Sequence, residues 1–163
     1  MERVLIVGGG VGGTIVANLL SRKLRRQIED EDIEVTIVDR LGNHVYQPGF
    51  MYITFGNEHE RNLSRPERSL LDDRVKLVVG EVTGVDADTR KVTLADGQIL
   101  EYDELVLAPG SRIAPEEIEH FETEAHHFYT ADAARKLREA LDAFKGGSIW
   151  LETWRGKRFL DER

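Results

Sequence analysis

Four consecutive apolar residues, Val4-Leu5-Ile6-Val7, follow a short polar start. An unbroken run of this kind suits a strand of a parallel sheet, buried on both faces. A glycine-rich segment comes next, Gly8-Gly9-Gly10-Val11-Gly12-Gly13. Ile15, Val16, Leu19, Leu20 and Leu24 then recur near the spacing of roughly 3.6 residues that marks one face of a helix. The pattern predicts a helix over 14–27. An acidic connection, Glu29-Asp30-Glu31-Asp32, leads into a second strand, Glu34-Val35-Thr36-Ile37-Val38-Asp39. Residues 4–39 are thus expected to form a strand–helix–strand unit with a right-handed crossover between parallel neighbours.

The pattern weakens over 40–70, where Pro48-Gly49 marks a turn and Arg65-Pro66 breaks any preceding helix. Ser64 or Arg65 is expected to open a short helix reaching Leu71. Val75-Lys76-Leu77-Val78-Val79 reads as a third strand. The alternating segments 82–86 and 91–94, with Asp96-Gly97 before 98–102, predict an antiparallel meander closed by a tight hairpin turn. Glu104-Leu105-Val106-Leu107-Ala108 is again a short apolar strand, ending in Pro109-Gly110. Residues 114–128 are weakly patterned. Thr130 is placed to cap a helix over 131–144, whose Ala134, Leu137, Leu141 and Phe144 share a face before Gly146-Gly147 ends it. Residues 148–152 are one last candidate strand.

Composition narrows what these elements can do. The chain has 163 residues, enough for one domain. The fold class expected is α/β, a parallel sheet with an antiparallel meander, over residues 1–147, with an atypical tail at 148–163. The net charge of −8 opposes nucleic-acid binding, which needs a basic face. The basic run Arg22-Lys23-Leu24-Arg25-Arg26 falls at the end of the predicted helix, where the dipole favours cations. The absence of cysteine removes disulfides, thiolate metal sites and cysteine nucleophiles. His126 and His127 are adjacent and point to different faces, so no metal site is expected. No apolar run approaches the roughly 18 residues a membrane span needs. The start runs directly into a strand, which leaves no room for a signal peptide, and a cytoplasmic location is expected.

The chemistry lies in Gly8-x-Gly10-x-x-Gly13. The first glycine permits a tight strand-to-helix turn. The second lets backbone approach a pyrophosphate, and the third lets the helix pack closely on the strand. The helix start, including Val11 and Gly12, then offers free N–H groups and a positive dipole end to phosphates. The motif alone is weak; between a buried strand and a helix, with an acidic residue ending the next strand, it becomes a Rossmann-type dinucleotide site. That residue is Asp39, expected on the ribose hydroxyls. Arg40 follows it as a candidate phosphate contact.

The later segment separates FAD from NAD. Residues 102–111, Tyr102-Asp103-Glu104-Leu105-Val106-Leu107-Ala108-Pro109-Gly110-Ser111, resemble the second fingerprint of flavoproteins that bind two dinucleotides. Its strand ends there in Ala-Thr-Gly and packs on the flavin nucleotide. Pro109 stands here at the threonine position, which removes a hydroxyl and an N–H but leaves close approach at Ala108 and Gly110. Val38-Asp39-Arg40 followed by His44-Val45-Tyr46-Gln47-Pro48-Gly49-Phe50 resembles the sulfide:quinone oxidoreductases and their type II NADH dehydrogenase relatives. The likeness covers residues 3 to about 147. It implies flavin contact around Pro48, adenine contact at the backbone of Glu81 and Val82, and a quinone or NAD(P)H as co-substrate. The chain departs from the sulfide:quinone oxidoreductases in having no cysteine. No glycine loop follows residue 148, where a second dinucleotide unit would begin.

The resemblance implies an FAD-dependent oxidoreductase of which this chain is the FAD-binding portion. A non-catalytic dinucleotide-binding or interaction module, completed by a homo-oligomer or partner subunit, is the alternative, with Ile149, Trp150 and Trp154 at the contact. A small NAD-binding protein is the third possibility. No side chain presents itself as a convincing acid or base; His44 is the one candidate beside a flavin, and an exposed loop histidine is the plainer alternative for it.

Overall fold

A computed structural model describes residues 1–151, with Glu122 described by its backbone alone. Strand β1 (Glu2–Val7) lies between β2 (Ile33–Asp39) and β9 (Glu104–Leu107), and β5 (Lys76–Val79) flanks β2. All three pairings are parallel. Ile6 faces Ile37 on one side and Val106 on the other. The unbroken apolar run of β1 is explained by cover on both faces. Val4 and Ile6 pack with Ala17, Val35, Ile37, Leu71 and Val75, while Leu5 and Val7 pack with Val38, Val92, Leu94 and Tyr102. Neither face meets water, so no polar alternation is required.

The first face is covered by helix α1 (Val11–Lys23) and the short α2 (Arg25–Glu29). The helix begins three residues earlier than its apolar pattern predicts. Gly12 and Gly13 are poor helix formers, but the fit of their turn against β1 outweighs that local preference. Leu24, with φ −103° and ψ 22°, breaks the helix before α2. The second face is covered by the expected meander: β6 (Val82–Asp86), β7 (Lys91–Leu94) and β8 (Ile99–Glu101). Gly97 adopts φ +88° at its hairpin turn, and the Gln98 amide donates to Asp96 Oδ1 at 2.9 Å.

The segment between β2 and β5 departs most from expectation. Asn43–Val45 (β3) pairs antiparallel with Ser64–Pro66 (β4), so residues 64–66 are strand rather than the start of a helix. Pro66 sits where this two-stranded ribbon ends, and only a tight turn, Glu67–Leu70, follows. Between the ribbon strands, helix α3 (Phe50–Thr54) buries Phe50 and Ile53 against Ala134. Ala134 belongs to α5 (Ala131–Ala143), which follows the single-turn α4 (Phe121–Glu124). Thr130 caps α5 as expected, its hydroxyl accepting from the Ala133 amide at 3.2 Å. Residues 148–151 form no strand and Ile149, Trp150 and Leu151 are exposed. Trp154 lies outside the described residues. Among the described residues no helix is long and apolar enough to cross a membrane.

Arg68 organises the entry to β5. Its guanidinium donates to the carbonyls of Val75 at 2.6 Å, Leu71 at 2.9 Å and Asp72 at 2.5 Å. Asn18 of α1 brackets the same loop, donating to the Leu70 carbonyl and accepting from the Asp72 amide. Arg74 grips the Asp72 carboxylate through two nitrogens, at 2.9 and 2.8 Å, and holds its pKa well below the usual carboxylate range.

Two stability tests follow. Arg68→Ala takes the guanidinium from three carbonyls, of which that of Asp72 still accepts the Val75 amide at 3.0 Å, and should destabilise the fold by about 2 kcal/mol in urea melts. Asp72 is partly exposed, so Asp72→Asn should cost no more than about 1 kcal/mol at neutral pH. A carboxylate with a lowered folded pKa stabilises fully above its unfolded value of about 3.9 and loses that contribution as pH falls through the folded value. The stabilities of the wild type and Asp72→Asn should therefore converge below about pH 4, and a gap that persists into strong acid would contradict the ion pair.

Candidate functional site

The carboxyl ends of β1, β2, β5 and β9 all open onto one edge of the sheet, the side on which open α/β sheets bind ligands. Gly8 leaves β1 with φ +107°, a left-handed conformation, and its amide donates to the Val38 carbonyl at 2.8 Å. A Cβ at Gly8 would come within 2.1 Å of the Ala108 carbonyl oxygen. One at Gly13 would meet the Gly8 carbonyl oxygen at 1.8 Å. These two glycines are therefore demanded by packing: strand, helix and the β9 terminus meet backbone to backbone.

Gly10 is different. It precedes α1 in extended conformation, and a Cβ there would meet nothing within 4 Å. Gly12 is almost as open, with Ala108 Cβ at 4.0 Å. The first α1 amide to find a backbone acceptor is that of Thr14, which donates to the Gly10 carbonyl at 3.0 Å. The amides of Gly10, Val11, Gly12 and Gly13 have no acceptor among the described residues, and no acidic side chain occupies the first turn. A row of unpaired donors at a helix start, with open space beside Gly10 and Gly12, fits a pyrophosphate.

Asp39 ends β2 beside this loop and is more committed than its sequence position suggests. Oδ2 accepts from the Gly9 amide at 3.1 Å, and Oδ1 accepts from Leu41 at 3.0 Å and Gly42 at 2.6 Å. Each carboxylate oxygen has two lone pairs, so one acceptor position on Oδ2 remains for a ribose hydroxyl. Gly9 is absent from the motif logic, yet a Cβ there would lie 2.8 Å from the Asp39 Cβ. The motif leaves its second position open. Only the return of Asp39 through the fold makes glycine necessary at 9.

The remaining candidates divide in two. Ala108, Pro109 and Gly110 adjoin the glycine loop, the Ala108 amide donating to the Val7 carbonyl at 2.8 Å. Glu81 and Val82 follow Gly80, whose amide donates to the Asp39 carbonyl at 2.9 Å, so they share this edge. Arg40 is exposed and forms no ion pair among the described residues. Pro48 is exposed in the turn Gln47–Gly49, and it is His44 that ties its segment to the glycine loop.

Beneath the loop lies a cluster only partly visible in the sequence. Glu67 is fully buried. Its Oε1 accepts from the Thr14 hydroxyl at 2.6 Å, and its Oε2 lies 3.2 Å from His44 Nδ1. The same His44 nitrogen is 3.1 Å from the Gly9 carbonyl oxygen. An acidic residue between Pro66 and Arg68 reads as surface, and no periodicity marks it as buried.

Residues 2–149 match the family model described as pyridine nucleotide-disulphide oxidoreductase. The chain is 29% identical over 154 residues to a type II NADH:quinone oxidoreductase of Mycobacterium tuberculosis, covering 91% of this chain and 31% of that protein. It is 24% identical to the mitochondrial sulfide:quinone oxidoreductase of Dictyostelium discoideum, covering 94% and 34% respectively. The chain thus spans about a third of the length of the curated relatives it matches. The crystal structure of the sulfide:quinone oxidoreductase of Aquifex aeolicus superposes with a TM-score of 0.72 at 23% identity, over 87% of this chain and 32% of that one. The fold is accordingly that of the FAD/NAD(P)-binding Rossmann-like oxidoreductases, with the meander in its expected place. With the glycine loop, the Asp39 carboxylate and the Ala108 terminus all within the matched span, the chain belongs to the pyridine nucleotide-disulphide oxidoreductase family, a family of FAD-binding flavoproteins.

Proposed function

We propose that this chain is the FAD-binding portion of a flavin-dependent oxidoreductase. The observation that carries the proposal is the row of four unpaired amides, Gly10 to Gly13, opening beside the backbone junction of Gly8 and Ala108. Gly10, Val11, Gly12 and Gly13 would hold the pyrophosphate, with Gly8 shaping the turn. The free acceptor position of Asp39 would take a ribose hydroxyl, and the exposed Arg40 beside it would offer a phosphate contact. Glu81 and Val82 would border the adenine, Ala108, Pro109 and Gly110 the nucleotide, and Pro48 the flavin side. Bound FAD would supply the electron transfer, and the protein the binding and orientation. A quinone or NAD(P)H co-substrate, by analogy with the relatives named above, belongs to the same proposal, as does a cytoplasmic location.

A second reading, a dinucleotide-binding module completed by another chain or a second copy, draws on the surface of α1. Val11, Ile15 and Leu19 recur at four-residue spacing on that helix and are all exposed, and Leu107 is exposed on the edge strand β9. Contiguous apolar surface of this kind is usually covered. Ile15→Lys should leave the melting temperature within a few degrees while shifting an assembled species to monomer in size-exclusion chromatography with light scattering. A wild-type chain that is monomeric at all concentrations would remove self-association from this reading.

Two glycine substitutions test the first reading by separating ligand contact from packing. Gly10→Ala meets no protein atom, so it should keep the wild-type melting temperature yet weaken FAD by at least about tenfold, or 1.4 kcal/mol. Gly13→Ala drives a methyl into the Gly8 carbonyl and should lower stability itself. FAD titration followed by flavin fluorescence and calorimetry reads both. Wild-type protein that takes up NAD but no FAD, or Gly10→Ala that binds FAD as well as wild type, would overturn the assignment.

A further inference from the structure

We propose that Glu67 is a positioning residue of the phosphate cradle, and that through Thr14 and His44 it links dinucleotide binding to the uptake of one proton. The inference rests on the FAD-binding proposal above and concerns what lies under that site.

The cluster holds fewer hydrogens than acceptors. The Thr14 hydroxyl has one, yet three oxygens surround it: Glu67 Oε1 at 2.6 Å, the Gly10 carbonyl at 2.9 Å and the Gly9 carbonyl at 3.2 Å. His44 Nδ1 carries at most one, between Glu67 Oε2 at 3.2 Å and the Gly9 carbonyl at 3.1 Å. With Glu67 ionised, a buried carboxylate claims both hydrogens, since an unpaired buried charge is costly. The Gly9 carbonyl then receives no side-chain hydrogen, and the Gly10 carbonyl keeps only the Thr14 amide. With Glu67 protonated, its hydroxyl donates to Thr14 and the Thr14 hydroxyl turns to Gly10. His44 Nδ1–H is released to Gly9. The same heavy-atom positions serve both states.

The two carbonyls that gain hydrogen bonds belong to the peptide units whose N–H groups are those of Gly10 and Val11. Both N–H groups are among the unpaired donors of the cradle. A peptide that accepts a hydrogen bond at oxygen becomes a better donor at nitrogen. Protonation also removes a negative charge from beneath a site that would hold an anionic pyrophosphate. An extra proton on the imidazole instead of the carboxyl has the same charge effect, because the two groups are in direct contact at 3.2 Å.

The surroundings leave this pair as the proton store. Asp39 faces the loop from the end of β2, but its carboxylate already accepts three amides. Arg68 is spent on the carbonyls of Leu71, Asp72 and Val75. Arg65 is the cross-strand neighbour of His44 and is exposed. The first turn of α1 contributes no acidic group, and the Glu67 amide is held by the Gly42 carbonyl at 2.8 Å.

Calorimetric titration of the chain with FAD, in pairs of buffers with different ionisation enthalpies, reads the proton directly. Between about pH 6 and about pH 8, wild type should take up a substantial fraction of one proton per FAD. Its Kd should rise with pH by up to about tenfold per unit. Glu67→Gln is expected to keep the network's shape, bind with a pH-independent Kd close to the low-pH wild-type value, and take up no proton. His44→Gln should also abolish the uptake, and it carries the test if Glu67→Gln fails to fold by circular dichroism. Wild type that binds FAD without proton uptake, or a folded Glu67→Gln that retains the wild-type pH slope, would overturn the inference while leaving FAD binding intact. A folded wild type that binds no FAD at any pH overturns the reading beneath it, and the inference with it.

Discussion

The structure depends on a backbone contact between α1 and β1. The Gly13 Cα sits so close to the Gly8 carbonyl that a methyl group would overlap it, and Gly8 is pressed equally hard on the Ala108 carbonyl. The end of β1, the start of α1 and the distant end of β9 meet there with no side chain between them. Because α1 approaches so closely, its first turn is presented at the carboxyl edge of the sheet with its amides unspent. A helix held even a side chain further away would leave those donors on open surface instead of beside the ends of β2 and β9.

Around that contact, the protein spends its polar groups on holding loops rather than exposing them. Asp39 joins the glycine loop to the turn after β2 through three amides. Arg68 and Asn18 bind the loop before β5 through its carbonyls and one amide. Glu67, fully buried, joins α1 to the β3–β4 ribbon through Thr14 and His44. A buried carboxyl gains its stability from such partners and none from burial itself. The common result is a rigid rim around a short stretch of free backbone donors, which is what electrostatic preorganisation for an anionic ligand requires.

Several elements were legible in the sequence because a local rule governs them. The buried strands β1 and β2 announce themselves as unbroken apolar runs, the meander by alternation and Asp96-Gly97, and α5 by its Thr130 cap. Two of the motif glycines, Gly8 and Gly13, follow from the geometry of a strand-to-helix turn, and Gly10 from the phosphate expected beside it. The errors lie where a long-range contact overrode the local preference. Residues 64–66 became a strand because Asn43–Val45 lay alongside to pair with them. Residues 148–151 carry a strand-like composition but find no neighbouring strand among the described residues, and they stay exposed.

The sequence by itself determined the strand–loop–helix unit and the place of its phosphate cradle, because glycine spacing and apolar runs act through bonds and turns only a few residues long. Tertiary structure decided what surrounds the cradle. It brought Asp39 onto the amide of Gly9, set Ala108 against Gly8, and buried Glu67 between Thr14 and His44. Those relations join residues 23 to 100 positions apart. No pattern of neighbouring residues encodes them, since each exists only once the sheet has brought its strand ends together.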